Sequence, residues 1–317
     1  GGVKLNTFHM GGDEVAAGSW LGSPACQQLF AAADNGIAGV ADLKPWFVSR
    51  VAEITHRRGL NLAGWEDGLM YDQQNTFNRN QFANDKVIAN AWDNIWEWGV
   101  GDRAYRLANN GYQVILSPGT HLYFDHPHEA NPAERGYYWA TRFSGIDKVF
   151  GFMPDNLYAN ADTTRSGALI TDLEALVGRE MPALKHAENI LGIQGQVWSE
   201  TIRTAQQLEQ MIYPRLLALA ERAWHKAGWE ANNNSIQRSQ DWQRFALRLS
   251  QVELGRLAAN NSSFYLPPPG VKLSAEQLQV NTALPLLTTE CSTDQGQNWH
   301  PCPAVAPAQP ATLWLRS

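Results

Sequence analysis

The sequence predicts an α/β fold, a (β/α)8 barrel followed by a small all-β module. Three observations carry this. Short apolar runs alternate with stretches of helical periodicity through the first 225 residues, the pattern of parallel strands joined by crossover helices. Each apolar run ends in polar or aromatic residues. Functional side chains at the C-terminal ends of successive parallel strands suit a barrel, whereas a doubly wound sheet gathers them at a switch point. Beyond Pro267-Pro268-Pro269-Gly270 the composition turns to Thr, Pro and Val with short strand-like pieces, which marks a linker and a separate module.

Taken in order, the strand runs are residues 3–10, 60–65, 86–92, 113–117 and 190–198. Between the first two, residues 43–58 set Trp46, Phe47, Val51 and Ile54 near one helical stripe. Residues 101–109 and 205–224 also read as helical, and Pro214 inside the latter predicts a kink or an interrupted first turn. A long helix over 241–258 follows. Five strands against the eight of a barrel are taken as strands four to eight, so the first three are expected upstream of residue 1. The expected organisation is the C-terminal part of a catalytic barrel over 1–265 and a β-sandwich-like module over 271–317, with strand-like pieces at 279–284 and 311–315. At fewer than about 50 residues the module is marginal alone and should lean on the barrel.

The 317 residues are 44% hydrophobic and 18% charged, ordinary values for a globular protein. A net charge of −6 argues against a nucleic-acid partner, which wants a basic stripe. No apolar run approaches the roughly 20 residues of a membrane span. Thirteen tryptophans are many. Core packing absorbs several of them, but indole faces also stack on the C–H faces of pyranose rings and leave the hydroxyls free for hydrogen bonds. Cys291 and Cys302 lie eleven residues apart across a turn-like stretch, where a hairpin disulfide and two free thiols are both open. Cys26 reads as a small buried apolar residue.

The chemistry concentrates in Phe8-His9-Met10-Gly11-Gly12-Asp13-Glu14. Adjacent carboxylates at a strand mouth repel each other and pack poorly, so they point to proton transfer and charge stabilisation. Glu14 has the longer reach and suits the acid; a charged Asp13 beside it would raise its pKa. Asp13 is too close in sequence to act across a sugar ring and is better placed to hold a substrate group. A metal pair or a structural network is the plainer reading of the same two residues. The two glycines let a ligand or another backbone come close. His9 reads as a satisfied interior histidine rather than a catalytic one. Among the aromatics, Trp65, Trp92 and Trp198 end three strands, Trp139 lies in Tyr137-Tyr138-Trp139, and Tyr123 supplies a phenol donor. Asp125 and Glu200 are acceptors suited to sugar hydroxyls. Trp46, Trp224 and Trp242 sit on helical stripes and read as packing residues.

His9-x-Gly11-Gly12-Asp13-Glu14 resembles the signature of the family 20 glycoside hydrolases, the β-N-acetylhexosaminidases. The motifs Gly64-Trp65-Glu66-Asp67, Ala91-Trp92-Asp93, Tyr123-Phe124-Asp125, Tyr138-Trp139 and Gly195-Gln196-Val197-Trp198-Ser199-Glu200 follow in family order, then Ala220-Glu221-Arg222-Ala223-Trp224. The likeness spans residues 3–230, with the bacterial chitobiase branch as the nearest type. It implies exo-acting removal of terminal β-linked N-acetylglucosamine from chitin oligosaccharides or glycoconjugates, by a substrate-assisted retaining mechanism that departs from the two-carboxylate scheme. Carried over by position, Glu14 is acid then base, Asp13 accepts from the acetamide N–H, and Tyr123 donates to the acetamide oxygen. Trp65, Trp92 and Trp198 box the acetamide and the ring, Asp125 and Glu200 bind hydroxyls, and Trp139 stacks on the next sugar. No metal and no cofactor is implied. The partners expected are an N-acetylglucosamine-terminated oligosaccharide and a missing N-terminal part of the same protein. A periplasmic, outer-membrane-associated or secreted location goes with the branch.

Two other classes stand against this one. A non-catalytic sugar-binding protein on the same fold would have no need of an acid at Glu14. A metal-dependent hydrolase could use Asp13, Glu14, Glu66 and Asp67, but the eight histidines show no H-E-x-x-H spacing, and the one H-x-H, His126-Pro127-His128, stands apart from these acids in the sequence. The family's sugar-clamping arginine and its Asp and His on earlier strands have no counterpart here. Residues 1–317 alone are therefore expected to give little active enzyme; full turnover of a chromogenic N-acetylglucosaminide by this polypeptide would refute that.

Overall fold

The structure is a computed structural model that describes residues 2–32, 34–274, 277–304 and 312–317. Its centre is one sheet of five parallel strands in sequence order: β1 (Thr7–His9), β2 (Asn61–Trp65), β3 (Val87–Ala91), β4 (Gln113–Leu116) and β5 (Ile190–Ile193). Every predicted run contains a strand, and each strand is shorter than its run. On β1 the ladder begins at Thr7, opposite Asn61, which leaves Val3 and Leu5 outside the pairing. On β5 an extra residue, Leu191, sits opposite the step between Val114 and Ile115. Beyond β5 the backbone still reaches the neighbouring segment, since the Gln194 and Gln196 amides donate to Leu116 O and Leu122 O, each at 2.9 Å.

The two faces of the sheet differ in chemistry. Leu62, Val87, Ala89, Val114 and Leu116 share one face and are fully buried. The helix Val40–Arg57 packs on β2, and the helix Arg103–Asn109 packs on β3 and β4. The other face carries His9, Trp65, Asn90 and Ile115, which are cross-strand partners or lie two residues from them. This is the alternation a barrel wall requires.

Helix α1 spans Pro24–Ala31 and α2 spans Val40–Arg57. The latter starts three residues ahead of its apolar stripe because the Asp42 carboxylate accepts the Ala38 and Gly39 amides at 2.8 and 3.2 Å. Helix α3 is Arg103–Asn109, and short turns of helix follow at Gly119–Leu122 (α4), Ile146–Phe150 (α5) and Leu173–Val177 (α6). The predicted 205–224 helix is two, α7 (Ala205–Ile212) and α8 (Arg215–Trp224), divided at Pro214. The last helix runs further than its stripe. Asn234 caps α9 (Ser235–Arg248), a π turn over Leu249–Glu253 continues it, and α10 (Leu254–Ala259) ends it. Among the described residues no helix is long and apolar enough to cross a membrane.

The C-terminal residues form a hairpin of β6 (Gly270–Ser274) and β7 (Gln277–Asn281). They also form a three-stranded sheet ordered β10 (Trp314–Arg316), β8 (Glu290–Ser292), β9 (His300–Pro301). The predicted piece at 279–284 overlaps β7. That at 311–315 overlaps β10, and its first residue lies outside the described residues. Cys291 and Cys302 are joined as a disulfide, and Cys26 is a free, half-buried thiol. The intervening turn is closed by Asp294, which accepts the Asn298 amide at 2.9 Å and the Ser292 hydroxyl at 2.6 Å.

The chain divides into two compact units. One holds residues up to 123 with 138–142 and 156–196; the other holds 124–137, 143–155 and 197 onward. The second unit is organised by Arg215, whose side chain is fully buried. Its guanidinium donates to His126 O (2.9 Å), Ser144 O (3.0 Å), Phe124 O and Met211 O. No ammonium can span that fork. Replacing Arg215 with Met should leave several buried carbonyls unpaired and cost at least about 3 kcal/mol, with Arg215→Lys restoring only part. Urea unfolding of the three proteins checks this, and an Arg215→Met variant within about 1 kcal/mol of wild type would contradict it.

Candidate active site

The Asp13-Glu14 turn is shaped by the strand before it. The β1 ladder runs on past His9, with Met10 N–H donating to Ala63 O at 2.8 Å and Trp65 N–H to Gly11 O at 3.0 Å. The chain then turns through positive φ at Gly11 (73°) and Gly12 (94°), and Glu14 itself stands at 53°, an uncommon conformation for a side chain. The turn is pressed onto the segment leaving β2. A Cβ on Gly68 would lie 2.8 Å from Gly12 O and 3.0 Å from Gly12 Cα, and one on Gly64 would lie 3.1 Å from Gly11 O. Glycine at both places lets two backbones touch.

That neighbouring segment, Glu66–Leu69, is a turn of 3-10 helix whose two acids are both engaged. Glu66 is fully buried; it accepts the Trp92 amide at 2.9 Å and the Asp93 amide at 3.1 Å, and meets the Arg103 guanidinium at 3.4 Å. Burial, aided by the Asp67 charge, pushes its carboxyl well above the usual range. The Asp67 carboxylate accepts the Glu14 amide at 2.7 Å and the Trp92 indole N–H at 3.1 Å. Lys44 reaches from α2 to hold Asp67 O at 2.9 Å. Asp93, largely buried, pairs with Arg103 at 3.4 Å and is pushed up to about 6 by burial.

The two leading acids differ from free carboxylates in the same sense. Partial loss of solvation raises Glu14, and the Asp13 and Asp67 charges raise it further. Partial loss of solvation also raises Asp13, with Asp67 adding to the rise and its own backbone amide and His9 opposing it. His9 shares the sheet face of Trp65 and Asn90 and is hydrogen-bonded, as an interior histidine would be. It is exposed, its Nδ1 accepts the Gly11 amide at 3.1 Å, and its ring stands edge-on to Trp65 at 5.3 Å.

Three of the predicted aromatics form one cluster. Trp92 lies 6.5 Å from Tyr123 and 5.6 Å from Trp139, and Tyr123 and Trp139 are 5.4 Å apart edge-to-face. Tyr123 is buried, and the Trp139 ring presses on Gly119, where a Cβ would lie 2.9 Å from it. Beside the strand ends runs a polar thread in which Asn90 donates to Gln194 Oε1 at 3.0 Å and Gln194 donates to Gln196 Oε1 at 3.2 Å. In the second unit, Asp125 is buried, accepts the Trp198 amide at 3.4 Å, and is pushed up to about 6 by burial. Arg215 clamps the carbonyls of Phe124 and His126 on either side of it. Trp198 and Glu200 are exposed.

Six of the predicted residues, Asp13, Glu14, Trp65, Trp92, Tyr123 and Trp139, thus belong to one unit, and Asp125, Trp198 and Glu200 to the other. Sequence reasoning named Glu66 and Asp67 only within a motif and as alternative metal-hydrolase residues, and missed the supporting layer they form with Arg103 and Lys44. A second acid pair directly at the next strand end was the available signal. Among the described residues no group of three His, Cys, Asp or Glu side chains is set to hold a metal ion.

The family model described as glycosyl hydrolase family 20, catalytic domain, matches residues 3–227. The chain belongs to glycosyl hydrolase family 20. A second model, the chitobiase/beta-hexosaminidase C-terminal domain, matches residues 253–317. The chain is 36% identical to a beta-hexosaminidase of Vibrio vulnificus over 95% of its own length and 36% of that protein's. It is 35% identical to an N,N'-diacetylchitobiase of Vibrio harveyi over 94% of its own length and 37% of that protein's. It therefore spans little more than a third of these relatives. The solved GH20 exo beta-N-acetylglucosaminidase from Vibrio harveyi, in complex with N-acetylglucosamine, shares the fold. Its TM-score is 0.53 at 23% identity, over 81% of this chain and 32% of that one.

In this family 20 chain the contact of Gly12 with Gly68 is the tightest constraint on the acid turn. Gly68→Ala should force the two segments apart at a cost of about 1–3 kcal/mol. Gly255→Ala, in α10 with nothing within 4 Å of a Cβ, should be neutral or slightly stabilising. Thermal unfolding of the pair tests this; equal effects would remove the constraint.

Proposed function

We propose that the protein is a β-N-acetylhexosaminidase that releases terminal N-acetylglucosamine by a substrate-assisted retaining mechanism. The observation that carries this reading is the Asp13-Glu14 turn. A carboxyl raised by partial desolvation and by two like charges stands in the same unit as the Trp92–Tyr123–Trp139 cluster. A raised Glu14 retains its proton and can deliver it to the glycosidic oxygen as the C1–O bond breaks. The substrate's acetamido carbonyl oxygen attacks C1 from the other face, an intramolecular nucleophile of high effective molarity. Asp13 accepts from the acetamide N–H and balances the oxazolinium charge, and Tyr123 donates to the acetamide oxygen. Glu14, now a carboxylate, takes a proton from the water that opens the oxazolinium at C1 with net retention.

Within their unit, Trp65 and Trp92 border the acetamide and ring, and Trp139 meets the next sugar. The substrate is an oligosaccharide ending in N-acetylglucosamine. The names of the relatives and the family membership support this assignment. The Cys291–Cys302 disulfide supports an oxidising location, for which we propose the periplasm or the exterior.

The signs of the pH dependence follow from the two acids. Glu14 acts while protonated, so turnover falls as pH rises through its raised pKa; Asp13 acts while ionised, so turnover falls as pH drops through its own. In the intact enzyme, Asp13→Asn should lower turnover of a chromogenic N-acetylglucosaminide about 100-fold or more. It should also move the alkaline limb to lower pH, because one like charge beside Glu14 is gone. Near-normal turnover in that variant would sink the assisted mechanism.

A further inference from the structure

We propose that Asp67 is the positioning residue of this reaction, a single carboxylate that ties the Glu14 backbone to the Trp92 indole and so fixes the proton donor against an aromatic wall. The inference deepens the hydrolase reading above and rests on it for its catalytic consequence. Its geometry is independent of that reading. Both carboxylate oxygens are committed to distant partners, Oδ2 to an amide 53 residues away at 2.7 Å and Oδ1 to an indole 25 residues away at 3.1 Å. An acid that merely closed its own turn would spend an oxygen on a local amide. The backbone of Asp67 is fixed as well, by Lys44 Nζ on its carbonyl and by Gly12 packed against Gly68.

The held conformation needs holding. Glu14 at φ 53° is in a region that disfavours side chains, and a charge-assisted N–H···O bond offsets that cost. Without the bond the residue can relax to negative φ, which swings its carboxyl away from the turn. Asp67 also acts through its charge. Glu14 faces Asp13 on its own turn, Asp67 on the next segment and Asp93 beyond it, and Asp67 in turn faces Lys44, Glu66 and His9's neighbour Asp13. Arg103 stands opposite the Glu66 and Asp93 carboxylates. Removing one negative charge from this group eases ionisation of Glu14.

The test uses Asp67→Asn and Asp67→Ala in the intact enzyme, with 13C-labelled glutamate and 15N-labelled backbone and tryptophan. Asp67→Asn keeps one acceptor and should loosen either the Glu14 amide or the Trp92 indole proton, while Asp67→Ala should loosen both, read as at least tenfold faster exchange. In folded Asp67→Asn the Glu14 carboxyl should titrate at lower pH than in wild type, and kcat should fall about 10- to 100-fold with a smaller change in KM. An unchanged Glu14 titration together with unchanged Glu14 and Trp92 signals would overturn the proposal. If neither variant folds, the wild type decides: fast-exchanging Glu14 amide and Trp92 indole protons would equally overturn it. A wild type that does not turn over N-acetylglucosaminides would defeat the hydrolase reading alone, since the titration and exchange data judge Asp67 without any substrate.

Discussion

The contact between two stretches of bare backbone governs this site. Gly11 and Gly12 leave β1 in register with β2 and come to rest on Gly64 and Gly68, at separations no side chain could share. Because the surfaces are backbone, neither can rotate out of the way as a side chain would. The acid pair is therefore delivered to a fixed place by main-chain sterics, and the hydrogen bonds from Asp67 and Lys44 work on a turn already confined.

The electrostatic arrangement follows from that confinement. Asp13, Glu14, Glu66, Asp67 and Asp93 crowd one region, and their mutual repulsion has to be met from outside the group. Arg103 lies between Glu66 and Asp93, Lys44 lies against the Asp67 carbonyl, and the amides of Trp92 and Asp93 point into Glu66. The amides and the Arg103 guanidinium are aimed at the deeper acids, yet burial still raises Glu66 well above the usual carboxylate range and Asp93 to about 6. Depth separates roles by contact: the buried acids hold the frame through hydrogen bonds, and the shallower pair, raised by partial desolvation and like charge, stands nearer solvent.

Much of this was legible in the sequence, and the exceptions have physical causes. Apolar runs located all five strands because a wall buried by helices must be apolar there, and Pro214 located the break between α7 and α8. Runs overstate strand length, since apolarity persists where pairing stops, as at Val3 and Leu5. The start of α9 at Ser235 was hidden because its first turn is polar and only the Asn234 cap announces it. Arg215 was unreadable: a helical arginine looks solvated until the carbonyls of Phe124, His126 and Ser144 are seen around it. Asp67 was visible as an acid but not as a bridge, because its two partners lie far away in sequence and meet only in the fold.

The extra residue in β5 has a consequence of its own. In an unbroken ladder that paired Leu191 with Ile115, Ile193 would fall opposite Ser117; with Leu191 left out of the pairing, Ile193 meets Leu116 and the next residue, Gln194, comes level with Ser117. Partners in a parallel sheet point the same way, so the insertion is a change of parity. It turns an amide, where an isoleucine would have been, toward Asn90. Strand parity thus decides whether the wall ends in hydrocarbon or in a chain of amides. Pairing the extra residue into the ladder would be felt as an inversion of the interior's chemistry, and far less as a change in its shape.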